Sequence, residues 1–335
     1  MNRILVSEAV AGKAIDQLKQ EPDLNVVFEP DLWKDHSALA QAVGEADAII
    51  VRNQTQVTAD LIAAAPKLKM IARAGAGLDN IDTEAATAAG IVVSFAPNEN
   101  SLSVAELAMG LFLSLARKIP SADQDIRDGN WNRFLFTGSE LFGKNLGIVG
   151  IGRIGTLVGQ RAKAFGMKLL AHDNFVDQNG PQYQELEVSF VELDELLEQS
   201  DFITVHLPLL PTTRAMFNKE RFAKMKPSAF FVNTSRGEVA DENALANALA
   251  NGVIAGAGLD VRANEPPAAG DRLVEAKKAV LTPHIAAFTH EAQERVVAAV
   301  CRDSAAVLRG QDAEGFFNFA RPKREPDEHH GQPRI

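Results

Sequence analysis

The chain has 335 residues, a formal net charge of −10, 46% hydrophobic and 23% charged residues. That acidity argues against sequence-independent binding to nucleic acid or to an anionic membrane, both of which need a basic surface. The composition is that of a folded, soluble protein long enough for two domains, and the single cysteine, Cys301, cannot form an intrachain disulfide, so the expected location is cytoplasmic.

Short apolar, β-branched runs alternate with alanine-rich amphipathic segments throughout, the pattern of parallel sheets covered by helices, so the expected fold class is α/β. The first apolar run, residues 3–6, meets Glu8 almost at once and is too short for a signal peptide. Strands are expected at 3–6, 26–28, 48–52, 70–74 and 91–94, with helices between them, which makes a small doubly wound unit. Residues 101–119 read as one long helix, capped by Ser101 or Ser103 and stopped before Pro120. Its apolar stretch is far short of a membrane span and contains Glu106.

A second set of strands is expected at 146–149, 168–171, 202–205, 229–233, 254–259 and 280–281, which suits a dinucleotide-binding domain. The first of these runs into Gly150-Ile-Gly-Arg-Ile-Gly155, which opens a helix reaching about Phe165. A bare glycine fingerprint is weak, but a strand before it and a helix after it place unpaired amides and a helix dipole where a pyrophosphate can bind, with Gly152 allowing close approach. Asp173, at the end of the next strand, can accept hydrogen bonds from both hydroxyls of an adenosine ribose and would repel a 2′-phosphate, which favours NAD over NADP. His206, in His206-Leu-Pro208, lies at the same carboxyl edge and lines the cofactor site or simply ends a strand.

Three further strand ends carry Arg236 in Asn233-Thr-Ser-Arg-Gly-Glu238, Glu265 in Asp260-Val-Arg-Ala-Asn-Glu-Pro266 and His284 in Thr282-Pro-His-Ile285. An arginine can grip a carboxylate with two parallel hydrogen bonds, a histidine can exchange a proton near neutral pH, and a glutamate can hold that histidine charged and oriented. The final helix, 291–309, carries an apolar stripe and is expected to return to the first domain. Cys301 within it reads as a small buried hydrophobe. The tail from Arg321 lacks periodicity and is expected to be mobile, with His329 and His330 solvated and no metal site.

With these residues in order, the chain resembles the D-isomer-specific 2-hydroxyacid dehydrogenases, most closely their D-3-phosphoglycerate dehydrogenase branch, from Arg3 to about Asn318. Further matching stretches are Arg73-Ala-Gly-Ala-Gly-Leu-Asp-Asn-Ile-Asp82, Gly138-Ser-Glu-Leu-Phe-Gly-Lys-Asn-Leu-Gly147 and Thr204-Val-His-Leu-Pro-Leu-Leu-Pro-Thr-Thr213. The resemblance implies a Rossmann dinucleotide-binding domain, 99–287, inserted in a smaller flavodoxin-like substrate domain, 1–98 with 288–320, followed by a tail, 321–335. It implies a short form without regulatory domains, a homodimer, and a small anionic 2-hydroxy or 2-keto acid as partner. Arg236 would anchor the substrate carboxylate, His284 would take the hydroxyl proton, and Glu265 would pair with it. Cofactor contacts would come from Gly150, Gly152, Arg153, Ile154, Gly155, Asp173, His206, Pro208, Thr212, Thr234, Ser235, Asp260 and Ala286.

In the same resemblance the amides of Ala76 and Gly77 would hold the substrate carboxylate, with the glycines of that loop supplying the unusual dihedrals of an anion-binding nest, and Arg52 and Arg133 would meet the distal anion. The expected reaction is NAD-dependent oxidation of 3-phosphoglycerate. A glyoxylate or hydroxypyruvate reductase and a dehydrogenase of another acid such as sulfolactate are alternatives within the class, and an NAD-sensing co-repressor is the alternative outside it.

Overall fold

The computed structural model describes residues 1–10 and 12–324, and the chain divides into two compact units, Met1–Asn100 with the chain from Thr289 onward, and Ser101–Phe288. The first unit runs β1 (Asn2–Val6), α1 (Lys13–Leu18), β2 (Leu24–Phe28), α2 (His36–Gly44), β3 (Ala48–Val51), α3 (Ala59–Ala63), β4 (Met70–Arg73), α4 (Thr83–Ala88) and β5 (Val92–Phe95). The strands form one parallel sheet in the order β2-β1-β3-β4-β5. Alternate residues along each strand point to opposite faces. Accordingly Ile4, Val6, Ala48, Ile50, Met70, Ala72 and Val92 build one core layer, while Leu5, Ile49, Val51, Ile71 and Val93 build the other. This two-sided burial is why the strands read as continuous apolar runs.

The second unit runs α5 (Ser101–Ala116), α6 (Ile119–Arg127), β6 (Asn145–Val149), α7 (Arg153–Ala164), β7 (Lys168–His172), α8 (Pro181–Glu185), β8 (Ser189–Phe190), α9 (Leu193–Gln199), β9 (Phe202–Val205), α10 (Lys219–Lys224), β10 (Phe230–Asn233), α11 (Glu242–Ala250), β11 (Gly256–Leu259) and β12 (Ala279–Leu281). All its strands are parallel, in the order β12-β11-β10-β9-β6-β7-β8. The order reverses between β6 and β9, and ligands of such sheets lie beyond the carboxyl ends at that point. The last helix, α12 (His290–Leu308), belongs to the first unit, where Val296, Val297, Val300, Cys301 and Val307 enter the layer built by Ile4 and Val6. Burial pushes the Cys301 thiol up to about 12, the state of a packing residue rather than of a nucleophile.

The structure corrects three details. The helix expected over 101–119 ends at Ala116, Lys118 takes a left-handed φ of 54°, and a separate helix starts at Ile119 with Pro120 in its first turn, where a missing N–H costs nothing. The two-residue strand β8 was not expected, because two residues carry no periodicity. Of the tail, the Lys323 amide donates to the Gly90 carbonyl at 2.9 Å and Arg324 Nη1 to the Ala65 carbonyl at 2.9 Å, so the chain is pinned as far as Arg324. His329 and His330 lie outside the described residues. Among the described residues no helix is long and apolar enough to cross a membrane.

Candidate active site

The glycine loop stands between β6 and α7, as its sequence requires. Gly150 takes a φ of +88°, and a Cβ there would lie 2.7 Å from the His206 carbonyl oxygen. A Cβ on Gly155 would come within 2.3 Å of the Gly150 oxygen, so α7 can start this close to the sheet only with glycine there. Around Gly152 a Cβ would meet nothing within 4 Å, which leaves the amide end of α7, with Arg153 and Ile154 in its first turn, open to an anion. Asp173 accepts from the Ile151 amide through Oδ2 and from the Phe175 amide through Oδ1, both at 2.9 Å. Each carboxylate oxygen has a second acceptor position, so ribose hydroxyls can still be bound.

Beyond β9 and β10 the register pairs Val205 with Asn233, so His206 and Thr234 leave neighbouring strands side by side. His206 Nδ1 and Thr234 Oγ1 are sealed from solvent and have no hydrogen-bond partner within the protein. Orphaned buried groups are rare and costly, and two of them at the switch-point edge, next to an open helix terminus, fit a dinucleotide. Burial also pushes the His206 imidazole down to about 3, and Thr204 Oγ1 stands 3.0 Å from its Nε2. Ser235 is turned inward, its amide and hydroxyl both donating to Asn233 Oδ1. Thr212 is exposed. Its neighbour Thr213 is the residue that locks the loop, donating to the Pro208 carbonyl at 2.7 Å.

The acid–base residues stand on the loops after β10, β11 and β12. Arg236 follows a turn closed by Asn233, whose Nδ2 donates to the Arg236 carbonyl at 2.9 Å. His284 Nδ1 and Glu265 Oε2 are 2.6 Å apart, with side chains 48% and 38% exposed. Burial resists ionisation of Glu265, but the hydrogen bond from His284, the Arg262 amide and the charges of His284 and Arg236 outweigh it and hold the carboxyl below its usual range. Glu265 is therefore an anion throughout the neutral range, and the Arg236 loop lies against its turn, where a Cβ on Gly237 would fall 2.0 Å from the Arg262 carbonyl carbon. His284 has a left-handed φ of 54°. Asp260, expected at the cofactor, is 1% exposed and spends both oxygens on this loop. They accept from the Thr282 hydroxyl at 2.6 Å and from the amides of Ile285 at 2.9 Å and Ala286 at 2.8 Å.

The remaining candidates stand on other segments. Arg52 follows β3 in the first unit, half-buried, where burial lowers its pKa and the Glu8 carboxylate opposes that shift. Ala76 and Gly77 lie in the bend after β4. Within that loop Gly75 is not in the left-handed region, and its missing side chain makes room for the Arg73 guanidinium, whose Nη1 lies 1.4 Å from where a Cβ would be. Arg133 sits on an exposed turn of the second unit, with its guanidinium 5.9 Å from the centre of the Phe134 ring.

Sequence reading passes over the residues that hold these loops. Glu8, 2% exposed, accepts from the amides of Arg52, Gln54 and Thr55 at 2.8, 2.9 and 2.8 Å, and Asn80 Nδ2 donates to the carbonyls of Arg52 and Thr55 at 3.0 and 2.7 Å. The one available signal for Glu8 is a carboxylate two residues beyond the apolar end of β1.

A switch-point glycine loop, orphaned polar groups beside it, and a Glu–His pair with a neighbouring arginine fit a dinucleotide-binding unit. Residues 109–286 match the family model described as D-isomer specific 2-hydroxyacid dehydrogenase, NAD binding domain, and the chain belongs to this family. It is 44% identical over 308 residues to D-3-phosphoglycerate dehydrogenase of Mycobacterium tuberculosis, a match covering 92% of this chain and 57% of that one. The chain thus spans little more than half the length of the curated relatives it matches. Among solved structures it is similar to a protein from Thermus thermophilus, with a TM-score of 0.87, 35% identity and coverage of 94% of this chain and 99% of that one. It is also similar to D-lactate dehydrogenase from Aquifex aeolicus complexed with NAD and lactic acid, with a TM-score of 0.83, 28% identity and coverage of 95% and 99%.

Proposed function

We propose that the chain is an NAD-dependent dehydrogenase of D-2-hydroxy acids that oxidises 3-phosphoglycerate to 3-phosphohydroxypyruvate, the entry step to serine. The observation that carries the reaction class is the 2.6 Å contact between His284 and an ionised Glu265, in the neighbourhood of Arg236. With Nδ1 engaged by Glu265, Nε2 is the ring nitrogen left to exchange a proton with substrate. Arg236 grips the substrate carboxylate and orients C2, His284 Nε2 takes the hydroxyl proton, and Glu265 stabilises the imidazolium that results. The bound nicotinamide supplies the acceptor for the hydride leaving C2, so the alcohol loses a hydride and a proton and becomes the ketone. In the reverse direction the same histidine returns the proton.

The second unit, which contains the matched NAD-binding stretch, is assigned the cofactor, and on the resemblance the amides of Ala76 and Gly77 are assigned to the carboxylate. Arg52 and Arg133 are assigned to the phosphate, and the resemblance to curated D-3-phosphoglycerate dehydrogenases supports that substrate. Asp173 selects NAD, because its carboxylate repels a 2′-phosphate. We further infer a cytoplasmic homodimer. Ile119, Ile126, Trp131, Phe134, Leu135 and Phe142 are all at least half exposed along one stretch of the second unit, a run of apolar side chains that supports a partner surface there.

Absorbance at the reduced-nicotinamide band tests the reading against 3-phosphoglycerate, D-lactate, glycerate, hydroxypyruvate, glyoxylate and sulfolactate with both cofactors. The highest kcat/KM is expected for 3-phosphoglycerate with NAD. Brisk turnover of the unphosphorylated acids with none of 3-phosphoglycerate would overturn the substrate, and no turnover of any of them would overturn the class.

A further inference from the structure

The turn that carries Glu265 is held by a cluster of charges that takes no part in the chemistry described above. Arg262, with a side chain 7% exposed, donates from Nε to Glu242 Oε1 at 2.9 Å and from Nη2 to Glu242 Oε2 at 3.1 Å and Asp271 Oδ2 at 2.8 Å. Glu242 opens α11, and its Oε1 also accepts the Ala263 amide at 2.9 Å. Asp271 is fixed in turn by the amides of Leu273 and Val274 at 2.9 and 3.2 Å. The Arg262 amide donates to Glu265 Oε1 at 2.9 Å, the oxygen that His284 does not use. On its other side this turn lies against the arginine loop: a Cβ on Gly237, the residue after Arg236, would fall 2.0 Å from the Arg262 carbonyl carbon and 2.2 Å from the Ala263 nitrogen.

Burying a guanidinium between two carboxylates is a poor way to gain stability, since desolvation offsets most of the attraction and apolar residues of similar volume do as well. What such a cluster does give is a fixed geometry. Here the geometry belongs to one short turn touching Glu265 through an amide and the Arg236 loop through backbone packing. We propose that Arg262 is a positioning residue for the dehydrogenase: clamped between Glu242 and Asp271, it fixes the turn that holds Glu265, and so sets where His284 stands relative to Arg236. This rests on the reading of Glu265 and His284 as the proton-exchanging pair.

The test compares Arg262→Met, Arg262→Lys and Glu265→Gln in the full chain by two readouts. One is the NMR titration of the His284 ring in the protein without ligands, assigned by loss of its signal in His284→Asn. The other is the pH profile of kcat/KM for the best acid and NAD from the panel above. The charges around the pair are Arg236 and Asp260, whose carboxylate accepts the Ile285 amide next to His284, with Arg262, Glu242 and Asp271 behind the turn. Deleting a nearby cation would by itself move the titration to higher pH, whereas loosening Glu265 from His284 moves it to lower pH. Arg262→Met is expected to move it lower, in the direction of Glu265→Gln, and to lower kcat by about 10- to 100-fold, the size of loss seen when the outer-shell partner of a metal-bound histidine is removed. The Kd for NAD is expected to stay within about twofold, since a shift confined to this turn leaves the glycine loop intact.

An upward or absent shift in Arg262→Met, with a downward one in Glu265→Gln, would overturn this inference and leave the proton-exchanging pair standing. No downward shift in Glu265→Gln would overturn the pair and the inference together. If Arg262→Met fails to fold, as judged by loss of NAD binding, Arg262→Lys decides by the same shift, because it keeps the positive charge but lacks the planar fork that spans Glu242 and Asp271.

Discussion

Replacing Asp260 with asparagine should dismantle the histidine loop with little change in volume. The carboxylate, 1% exposed, accepts from the Thr282 hydroxyl and the amides of Ile285 and Ala286. An asparagine oxygen can keep two of these donors, but its NH₂ must then face the third. Weakening two charge-assisted bonds to neutral ones costs about 1 kcal/mol each, and the buried amide left facing a donor adds about 1–3, for a total of about 3–5 kcal/mol. For a domain of this size each kcal/mol lowers Tm by about 2–4 °C, so a fall of roughly 6–20 °C is expected in a calorimetric or circular-dichroism melt. Function should suffer more than stability. His284 occupies a left-handed backbone that costs about 1–2 kcal/mol for a residue with a Cβ, and once the loop is loosened that strain drives the histidine away from Glu265. Misplacement by about 1 Å can cost on the order of 100-fold in rate, so steady-state kcat should fall by at least that much. Asp260→Asn protein with wild-type turnover and an unchanged melt would refute the loop-holding role.

Two further outcomes follow from the cofactor edge. Gly155→Ala places a methyl 2.3 Å from the Gly150 oxygen and 3.0 Å from Ile148 Cγ2, so α7 must move off β6. A loss of about 1–3 kcal/mol of stability is expected in urea unfolding, together with weaker NAD binding by fluorescence titration, and unaltered NAD affinity would contradict the packing argument. His206 is held neutral, its imidazole pushed down to about 3 by burial. Between that value and the ordinary histidine range near 6.5, the unfolded chain takes up a proton that the folded chain refuses. The contribution is therefore intact above about pH 6.5 and is lost as pH falls, by at most about 1.4 kcal/mol per unit. Urea midpoints from pH 7 to 5 should drop more steeply for the wild type than for His206→Asn, and parallel slopes would show that the ring is protonated in the folded state.

The sheets were legible because buried parallel strands leave apolar runs of four to six residues, and the glycine loop because Gly150, Gly152 and Gly155 sit between such a run and a helix. Arg236, Glu265 and His284 were legible because each follows a strand end. The break at Ala116 was not, because Lys118 adopts a conformation that its residue type does not announce, and Pro120 reads equally well as the end of one helix or the start of the next. Arg262, Glu242 and Asp271 were hidden for another reason. Their partners lie 20 and 9 residues away in the chain, and a charged residue in a loop looks solvated until the fold buries it.

The residues that hold the loops share one physical task. A loop leaving a strand end gives up the ladder that satisfied its amides, and a buried loop must find other partners for them. Glu8 supplies acceptors for the Arg52 loop, Asn233 closes the turn before Arg236, Glu242 takes the Ala263 amide beside Glu265, and Asp260 takes the amides after His284. A side chain can aim a reactive group in this way where secondary structure cannot reach. The cost of removing any one of the four should therefore appear in geometry and rate ahead of stability, because each holds a few backbone groups around one reactive residue rather than a share of either core.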